Sequence, residues 1–214
     1  LGAAGQFGIF MTLILALVLG FNQKEAASIG IIGAIDGPTS IYVSGLLAPH
    51  LLGPITVAAY SYMSLVPIIM PPVIYALTTK HERCIEMAYS SRKISRRTRI
   101  IFPIIITVMV GSLVPFATPL IGMLMLGNLM RESGAVERLT QASSNEIANM
   151  VTLFLGLAIG STMGGEAFLK SETLFILGLG LLAFGVDCAA GVLFAKLLNI
   201  LSGGKGNPII GAAG

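Results

Sequence analysis

The chain contains only two aspartates, and the first, Asp36 in GAIDGPTS, has surroundings that could bind a cation. Inside a membrane helix an aspartate costs about 2.5–3.5 kcal/mol on insertion scales, so it is usually functional. Pro38 lacks an N–H and leaves the Ala34 carbonyl without its helical donor, and the Thr39 hydroxyl is nearby. Broken membrane helices offer such oxygen atoms to Na⁺ or H⁺. Asp36, Ala34 and Thr39 are therefore predicted to bind a monovalent cation. The alternatives are an Asp36 that pairs with a buried basic residue or is protonated.

The second aspartate, Asp187, lies in AFGVDCAAG between small residues that permit close helix packing. We expect it to be a second cation or proton site. A protonated carboxyl group that bonds to a neighbouring helix is the alternative, and the sequence leaves both open.

The pair Asn207–Pro208 has the form of a helix N-cap followed by proline at the first helical position. A half-helix that starts there would point its positive end into the membrane and could receive an anion or a carboxylate. An ordinary helix start at the membrane interface is the alternative.

Tyr60 and Tyr62, in AAYSYMS, are polar rings in an apolar block. Such rings belong to the interfacial aromatic belt more often than to a catalytic site. The histidines and cysteines form no metal-binding pattern, and the sequence has no zinc, P-loop or Rossmann signature.

Helices that break inside a membrane are needed to position these residues. Ten prolines and 26 glycines in so apolar a chain are typical of a transporter-like interior, because broken helices need protein or a water-filled cavity around them. The tetrapeptide IIGA occurs at Ile31–Ala34 and again at Ile209–Ala212, both times at an expected break. Paired interrupted segments favour inverted repeats around a midplane site, with chance recurrence as the alternative.

The composition points to an all-α polytopic membrane protein. Of the 214 residues, 55% are hydrophobic and 11% are charged, and the mean hydropathy is +0.88. Soluble domains carry about 25% charged residues, so a soluble enzyme, a nucleic-acid-binding module and a disulfide scaffold are excluded. Five or six membrane segments, several of them broken, are predicted from the apolar runs, which include Gly8–Phe21, Ala26–Leu47, Leu51–Leu77, Ile100–Gly127 and Leu174–Leu201.

Residues 78–99 form the strongest topological marker. They contain seven Lys and Arg against two Glu, so the positive-inside rule predicts a basic cytoplasmic loop. We expect one transmembrane domain over residues 1–214 that is part of a longer protein, because both ends lie inside apolar sequence.

The block GAIDGPTSIYVSGLLAPHLLGPITVAAYSYMSLVPIIMPPVIYALTTKHER resembles one family of membrane proteins. It is similar to the β subunit of sodium-pumping biotin-dependent decarboxylases, which act on oxaloacetate, methylmalonyl-CoA, glutaconyl-CoA or malonate. The stretches GNLMRESGAVERL, FGVDCAAGVLFAKLLNIL and GNPIIGAAG match the same family in order and spacing.

The resemblance implies a subunit that decarboxylates carboxybiotin and couples this step to Na⁺ export. It implies that Asp36 is a Na⁺ ligand with a catalytic role, that Tyr62 takes part in coupling, and that Asn207 and Gly211 belong to a site for carboxybiotin. The family continues with a Ser and an Arg whose positions fall just past Gly214.

The same resemblance implies the partners and the location. The expected partners are a soluble carboxyltransferase α subunit, a biotin carrier, a small membrane subunit of the γ/δ type, membrane lipid and further copies of the chain, with no nucleic acid. The expected location is the cytoplasmic (inner) membrane of a bacterium or archaeon, crossed several times.

Two other functions fit the composition and the helix breaks. One is a secondary transporter that uses Na⁺ to move a small carboxylate and performs no chemistry of its own. The other, which is weaker, is a structural or assembly subunit. Co-purification with a biotinylated partner would separate the decarboxylase subunit from the transporter, and a lack of specific Na⁺ binding would favour the assembly subunit.

Overall fold

The computed structural model describes residues 2–87, 94–162, 165, 169–201, 203 and 206–213. Every regular element of these ranges is helical, which confirms the all-α prediction. The α-helices are, in chain order, α1 (Phe7–Val18), α2 (Gln23–Gly30), α3 (Gly37–Leu47), α4 (Leu52–Leu77), α5 (Lys80–Arg83), α6 (Arg96–Leu113), α7 (Thr118–Ser133), α8 (Glu137–Ala142), α9 (Ala148–Thr162) and α10 (Ser171–Leu201).

The chain separates into two compact units. The first unit comprises Leu1–Ala88 and Ile159–Gly214, and the second comprises Tyr89–Ala158. The single-domain expectation is not decided by this division and stays a prediction.

Helix α10 is the centre of the first unit. Its 31 residues correspond to a length of about 46 Å. Helices α1 and α4 and the 3₁₀ segment Pro208–Ala213 pack against it. The core that they enclose consists of small and aliphatic side chains with one tyrosine: Ala16, Ala26, Ile29, Ile32, Ala48, Leu51, Ile55, Ala58, Tyr62, Ile176 and Leu179.

Among the described helices, α10 is long and apolar enough to cross a membrane. The segments Pro49–Tyr62 and Ser64–Leu77 meet at a bend of 57° and qualify together if they count as one span. Pro67 lies one turn after this bend, where it removes the N–H that would bond to the carbonyl of residue 63. The larger number of membrane segments expected from hydropathy stays a prediction.

In the second unit, α6 and α7 form an antiparallel hairpin around the 3₁₀ turn Pro115–Ala117. The direction follows from contacts between the start of α6 and the end of α7. Arg96 donates to the Ser133 carbonyl over 2.5 Å, and Arg99 lies 3.1 Å from Glu132. The sequence predicts one span over 100–127, and this prediction is wrong because the chain turns back after Leu113.

The predicted basic loop 78–99 is partly helical. Thr79 and Glu82 form a capping box that starts α5, in which each side chain accepts from the backbone N–H of the other residue. Ser95 caps the first turn of α6. Residues 88–93 of this loop lie outside the described residues.

Candidate functional site

The first helix break of the first unit lies between the 3₁₀ segment Ile31–Ala34 and α3. Ile35 adopts a left-handed backbone with φ +54°, and Asp36 is extended with φ −121°. A left-handed conformation is costly for a β-branched residue and persists only where the surroundings enforce it. The break that Gly37 and Pro38 predict is therefore present in the structure, one residue before Asp36.

Asp36 is the N-cap of α3. Its Oδ1 accepts from the Thr39 N–H over 3.2 Å, and its Oδ2 accepts from the Thr39 hydroxyl over 2.5 Å. The Ser40 hydroxyl donates to the Asp36 carbonyl over 2.8 Å. The structure thus joins Asp36 and Thr39, two of the three predicted cation ligands, in one cluster of oxygen atoms.

The carboxylate of Asp36 has no basic partner among the described residues. Asp36 is exposed and Thr39 is half-buried. Carboxylate, hydroxyl and carbonyl oxygens are ligands that hard cations prefer. The arrangement can therefore add a cation to the free lone pairs of Asp36 without breaking an ion pair.

Two tyrosines of α4 have different surroundings. The ring of Tyr60 covers Gly37, where an added Cβ would lie 2.6 Å from the ring carbon that carries the hydroxyl. Tyr60 is within electrostatic reach of Asp36. The side chain of Tyr62 is buried in the core, and its hydroxyl donates to the Leu177 carbonyl of α10. The structure thus brings Tyr60 to Asp36, and a catalytic part for Tyr62 stays a prediction.

The second break precedes the 3₁₀ segment Pro208–Ala213. The Oδ1 of Asn207 accepts from the Ile209 N–H over 3.0 Å, as a capping residue does. Its Nδ2 donates to the carbonyls of Arg83 and Ile85, each over 3.1 Å. The expected half-helix is a six-residue 3₁₀ turn within the described residues, and the amide of Asn207 is engaged with the protein's own backbone.

The residues contacted by Asn207 belong to a short segment, residues 78–85, that we name the strap. Lys196 of α10 lies 3.2 Å from Glu82 and donates to the Leu77 carbonyl over 3.1 Å. The Thr79 N–H donates to the Glu82 carboxylate and is the main reason that the pKa of Glu82 is lowered, with Lys196 adding to the effect. The guanidinium of Arg83 lies 4.7 Å above the Tyr75 ring.

Gly211 lies in backbone contact with Gly191 of α10. A Cβ on either glycine would collide with the carbonyl oxygen of the other. Gly33, which holds the same place in the first IIGA copy, also lies close to a backbone, that of α1, where its Cβ would be 2.6 Å from the Ile9 nitrogen. Gly211 therefore lies at a close approach of two backbones, and its part in a carboxybiotin site stays a prediction.

Asp187 is buried, with 2% of its surface exposed. Its Oδ1 accepts from the Gly8 N–H in the first turn of α1, and its Oδ2 has no hydrogen-bond partner among the described residues. The pocket beside it is lined by Ala34 of the first break and Ala212 of the second.

Several roles and contacts in this region were not predicted from the sequence. The N-cap role of Asp36 could have been read from Asp, Pro and Thr in order, as for Asn207. Nothing in the sequence pairs Tyr60 with Gly37 or Gly191 with Gly211, because these contacts join distant segments.

Comparisons with known proteins agree with the resemblance found in the sequence. The family model described as "Na+-transporting oxaloacetate decarboxylase beta subunit" matches residues 1–214. The chain is 57% identical to the methylmalonyl-CoA decarboxylase subunit beta of Propionigenium modestum, over 100% of the chain and 54% of that protein. It is 54% identical to the oxaloacetate decarboxylase beta chain of Klebsiella pneumoniae, over 100% of the chain and 51% of that protein.

The glutaconyl-CoA decarboxylase subunit beta of Acidaminococcus fermentans is 53% identical, over 100% of the chain and 57% of that protein. The chain thus spans about half the length of the curated relatives it matches. Since the family model covers all 214 residues, the chain belongs to the family of Na⁺-transporting oxaloacetate decarboxylase beta subunits.

Proposed function

We propose that this chain works within a membrane subunit that decarboxylates carboxybiotin and couples this step to Na⁺ export. The observation that carries the proposal is the oxygen cluster of Asp36 and Thr39 at a helix break, without a basic partner among the described residues. The names of the relatives support the reaction class, since they are beta subunits of decarboxylases that differ in their acids.

In this proposal Na⁺ is the cargo, and Asp36 is its anchor. The carboxylate supplies the negative charge, and the Thr39 hydroxyl and the Ala34 carbonyl supply neutral oxygen atoms. Export costs about 2.3 kcal/mol per charge for each 100 mV of membrane potential. The loaded and empty states must therefore differ in access, and the break at Ile35 gives the backbone a place where it can change.

Carboxybiotin brings the carboxyl group, and a partner subunit carries it. Asn207 and Gly211, which the resemblance implies near that group, are bonded to or packed on the protein's own backbone. In this conformation, the described residues of the second break do not fit carboxybiotin. We therefore assign the decarboxylation to the full-length complex.

The finer features of the assembly belong to the same proposal. The partners are a soluble carboxyltransferase subunit, a biotin carrier, a small membrane subunit and further copies of this chain, in a bacterial cytoplasmic membrane crossed several times. The two IIGA copies are proposed to be corresponding parts of inverted repeats, because both form 3₁₀ segments beside α10.

The test is Na⁺-dependent CO₂ release by the full-length protein with its biotinylated partner. Asp36→Asn keeps an oxygen for the cap of α3 and removes the charge, so we expect a folded protein that loses the Na⁺ stimulation at least tenfold. Glu146→Gln, which removes an exposed acid of the second unit, is the matched control. Equal Na⁺ stimulation in Asp36→Asn and wild type would show that Asp36 is not a ligand.

No observation favours the secondary transporter or the assembly subunit. Retention of a biotinylated protein during purification would exclude the transporter, because it needs no such partner, and specific Na⁺ binding would exclude an assembly subunit without transport.

A further inference from the structure

A second carboxylate of the first unit is held in an unusual way. Asp187 is almost fully buried on α10, and its Oδ1 accepts from the backbone N–H of Gly8. Gly8 is the second residue of α1, so this N–H is one of the donors that a helix start leaves without a partner. An added Cβ on Gly8 would lie 2.5 Å from the Asp187 Oδ2, so the carboxylate rests directly on the backbone.

A pocket of about 230 Å³ lies beside this carboxylate. Two segments of the chain that leave regular helix geometry reach it, through Ala34 and Ile35 at the first break and through Ala212 at the second. The Gln6 side chain and the Cys188 thiol complete the polar part of the lining. Asp187 is the only charged residue that lines it among the described residues.

Two effects on the ionisation of Asp187 oppose each other, since burial favours the neutral carboxyl group and the contact with Gly8 favours the carboxylate. A backbone N–H and the positive end of a helix both stabilise a carboxylate over a neutral carboxyl group. A buried carboxylate needs a positive partner, yet no lysine, arginine or histidine pairs with Asp187 in the part of the chain that the structure describes. The Oδ2 atom is left with no hydrogen-bond partner there.

We propose that the pocket beside Asp187 is a second binding site for a hard monovalent cation, separate from the site at Asp36. The ligands are the Asp187 carboxylate, the Gln6 side-chain oxygen and water molecules in the pocket. The pocket volume exceeds that of one water molecule several times, so the cation keeps part of its water shell. Only the identity of the cation as Na⁺ rests on the proposed function.

The two sites share one short segment of the chain. Ala34 and Ile35 line the Asp187 pocket, and Asp36 follows directly in the chain. A change of backbone conformation at Ile35 would therefore alter both sites together, although neither carboxylate contacts the other in any described hydrogen bond.

The experiment measures equilibrium binding of radioactive ²²Na⁺ to the full-length protein in detergent. We expect Asp187→Asn to bind one Na⁺ fewer per chain than wild type, and Asp36→Asn to lose a different one, so that the double variant loses both. Glu146→Gln is the control for the loss of an acidic residue, and thermal unfolding checks that each variant is folded.

The results separate this proposal from the proposed function. An unchanged Na⁺ count in Asp187→Asn would overturn the second site, since asparagine replaces a protonated carboxyl group at equal size but lacks the negative charge that holds a buried cation. An unchanged count in Asp36→Asn, with one Na⁺ lost in Asp187→Asn, would overturn the Asp36 site alone.

A second measurement keeps the proposal testable if Asp187→Asn does not fold. Alkylation of Cys188 in the wild-type protein is followed by peptide mass spectrometry in Na⁺ and in a bulky organic cation. We expect Na⁺ to slow the reaction severalfold at Cys188 and to leave the exposed Cys84 unaffected. Equal rates at Cys188 in both salts would overturn the site.

Discussion

The two IIGA copies are docked in the same way but lead into different surroundings. Each forms a 3₁₀ segment, and in each the glycine at the third place touches the backbone of a neighbouring helix. Gly33 meets α1 and Gly211 meets α10. The repeated sequence therefore encodes a close backbone approach.

The difference lies in the polar residue next to each copy. After the first copy the chain passes through the strained Ile35 to the carboxylate of Asp36, which is exposed and free of basic partners among the described residues. Before the second copy it passes through Asn207, whose side chain is fixed to the strap. One break thus presents a carboxylate, whereas the other is anchored to a polar segment of the chain.

The largest effect is expected from removing the shared docking. Gly33→Ala and Gly211→Ala each put a Cβ against backbone, so both should destabilise the protein by about 1–3 kcal/mol and lower the thermal unfolding temperature in detergent. Gly178→Ala, which has open space on α10, is the control and should not destabilise. If only one of the two variants were affected, the two copies would not be docked equivalently.

The anchoring of the second break can be tested at Asn207. Asn207→Asp keeps the oxygen that accepts from Ile209 but removes the two donors to the strap, at a cost of about 1 kcal/mol for each hydrogen bond. We expect faster amide exchange in residues 80–85. Asn22→Asp is the matched control, because only the oxygen of Asn22 is used, in the capping box of α2. Equal exchange rates in Asn207→Asp and wild type would mean that the strap does not depend on Asn207.

At the first break, Thr39→Val removes the hydroxyl that donates to Asp36 and keeps the backbone N–H of the cap. We expect Na⁺ affinity to fall about tenfold, which corresponds to about 1.4 kcal/mol. Thr39→Ser restores the hydroxyl and should restore the affinity. A Thr39→Val protein that binds Na⁺ as wild type does would remove Thr39 from the ligand set.

The smallest effect is a pH dependence at the strap. The pKa of Glu82 is lowered in the folded protein, mainly by the Thr79 N–H. The stabilisation from Glu82 is therefore complete above its ordinary pKa of about 4.3 and disappears as the pH falls through the lowered value. Glu82→Gln should lower the unfolding temperature slightly at pH 7, and its difference from wild type should shrink as the pH falls below about 4.3. A difference that stays constant with pH would not come from ionisation of Glu82.

The first helix break could be predicted from its local sequence. The contacts of the second break could not, because they join distant segments of the chain. Pro38 and Gly37 interrupt a helix in any surroundings, so the position of Asp36 follows from its neighbours. The partners of Asn207 are the Arg83 and Ile85 carbonyls, more than a hundred residues away, and backbone carbonyls carry no sequence signal. In the sequence, the side-chain amide of Asn207 is therefore predicted to be available to a ligand. In the structure it donates to the protein's own backbone.

The α6–α7 hairpin illustrates the same limit. Pro115 and Pro119 lie where the helix is interrupted, but the reversal of direction depends on contacts such as Arg99 with Glu132, which hydropathy does not report. A continuous span and a hairpin have the same apolar sequence.

The left-handed Ile35 has one further consequence. Glycine would adopt this backbone at little cost, whereas isoleucine adopts it at an energetic disadvantage. The isoleucine places an aliphatic residue directly before Asp36 and in the lining of the Asp187 pocket. The backbone torsion of this single residue therefore sets both the position of one acid and the lining of the pocket beside the other.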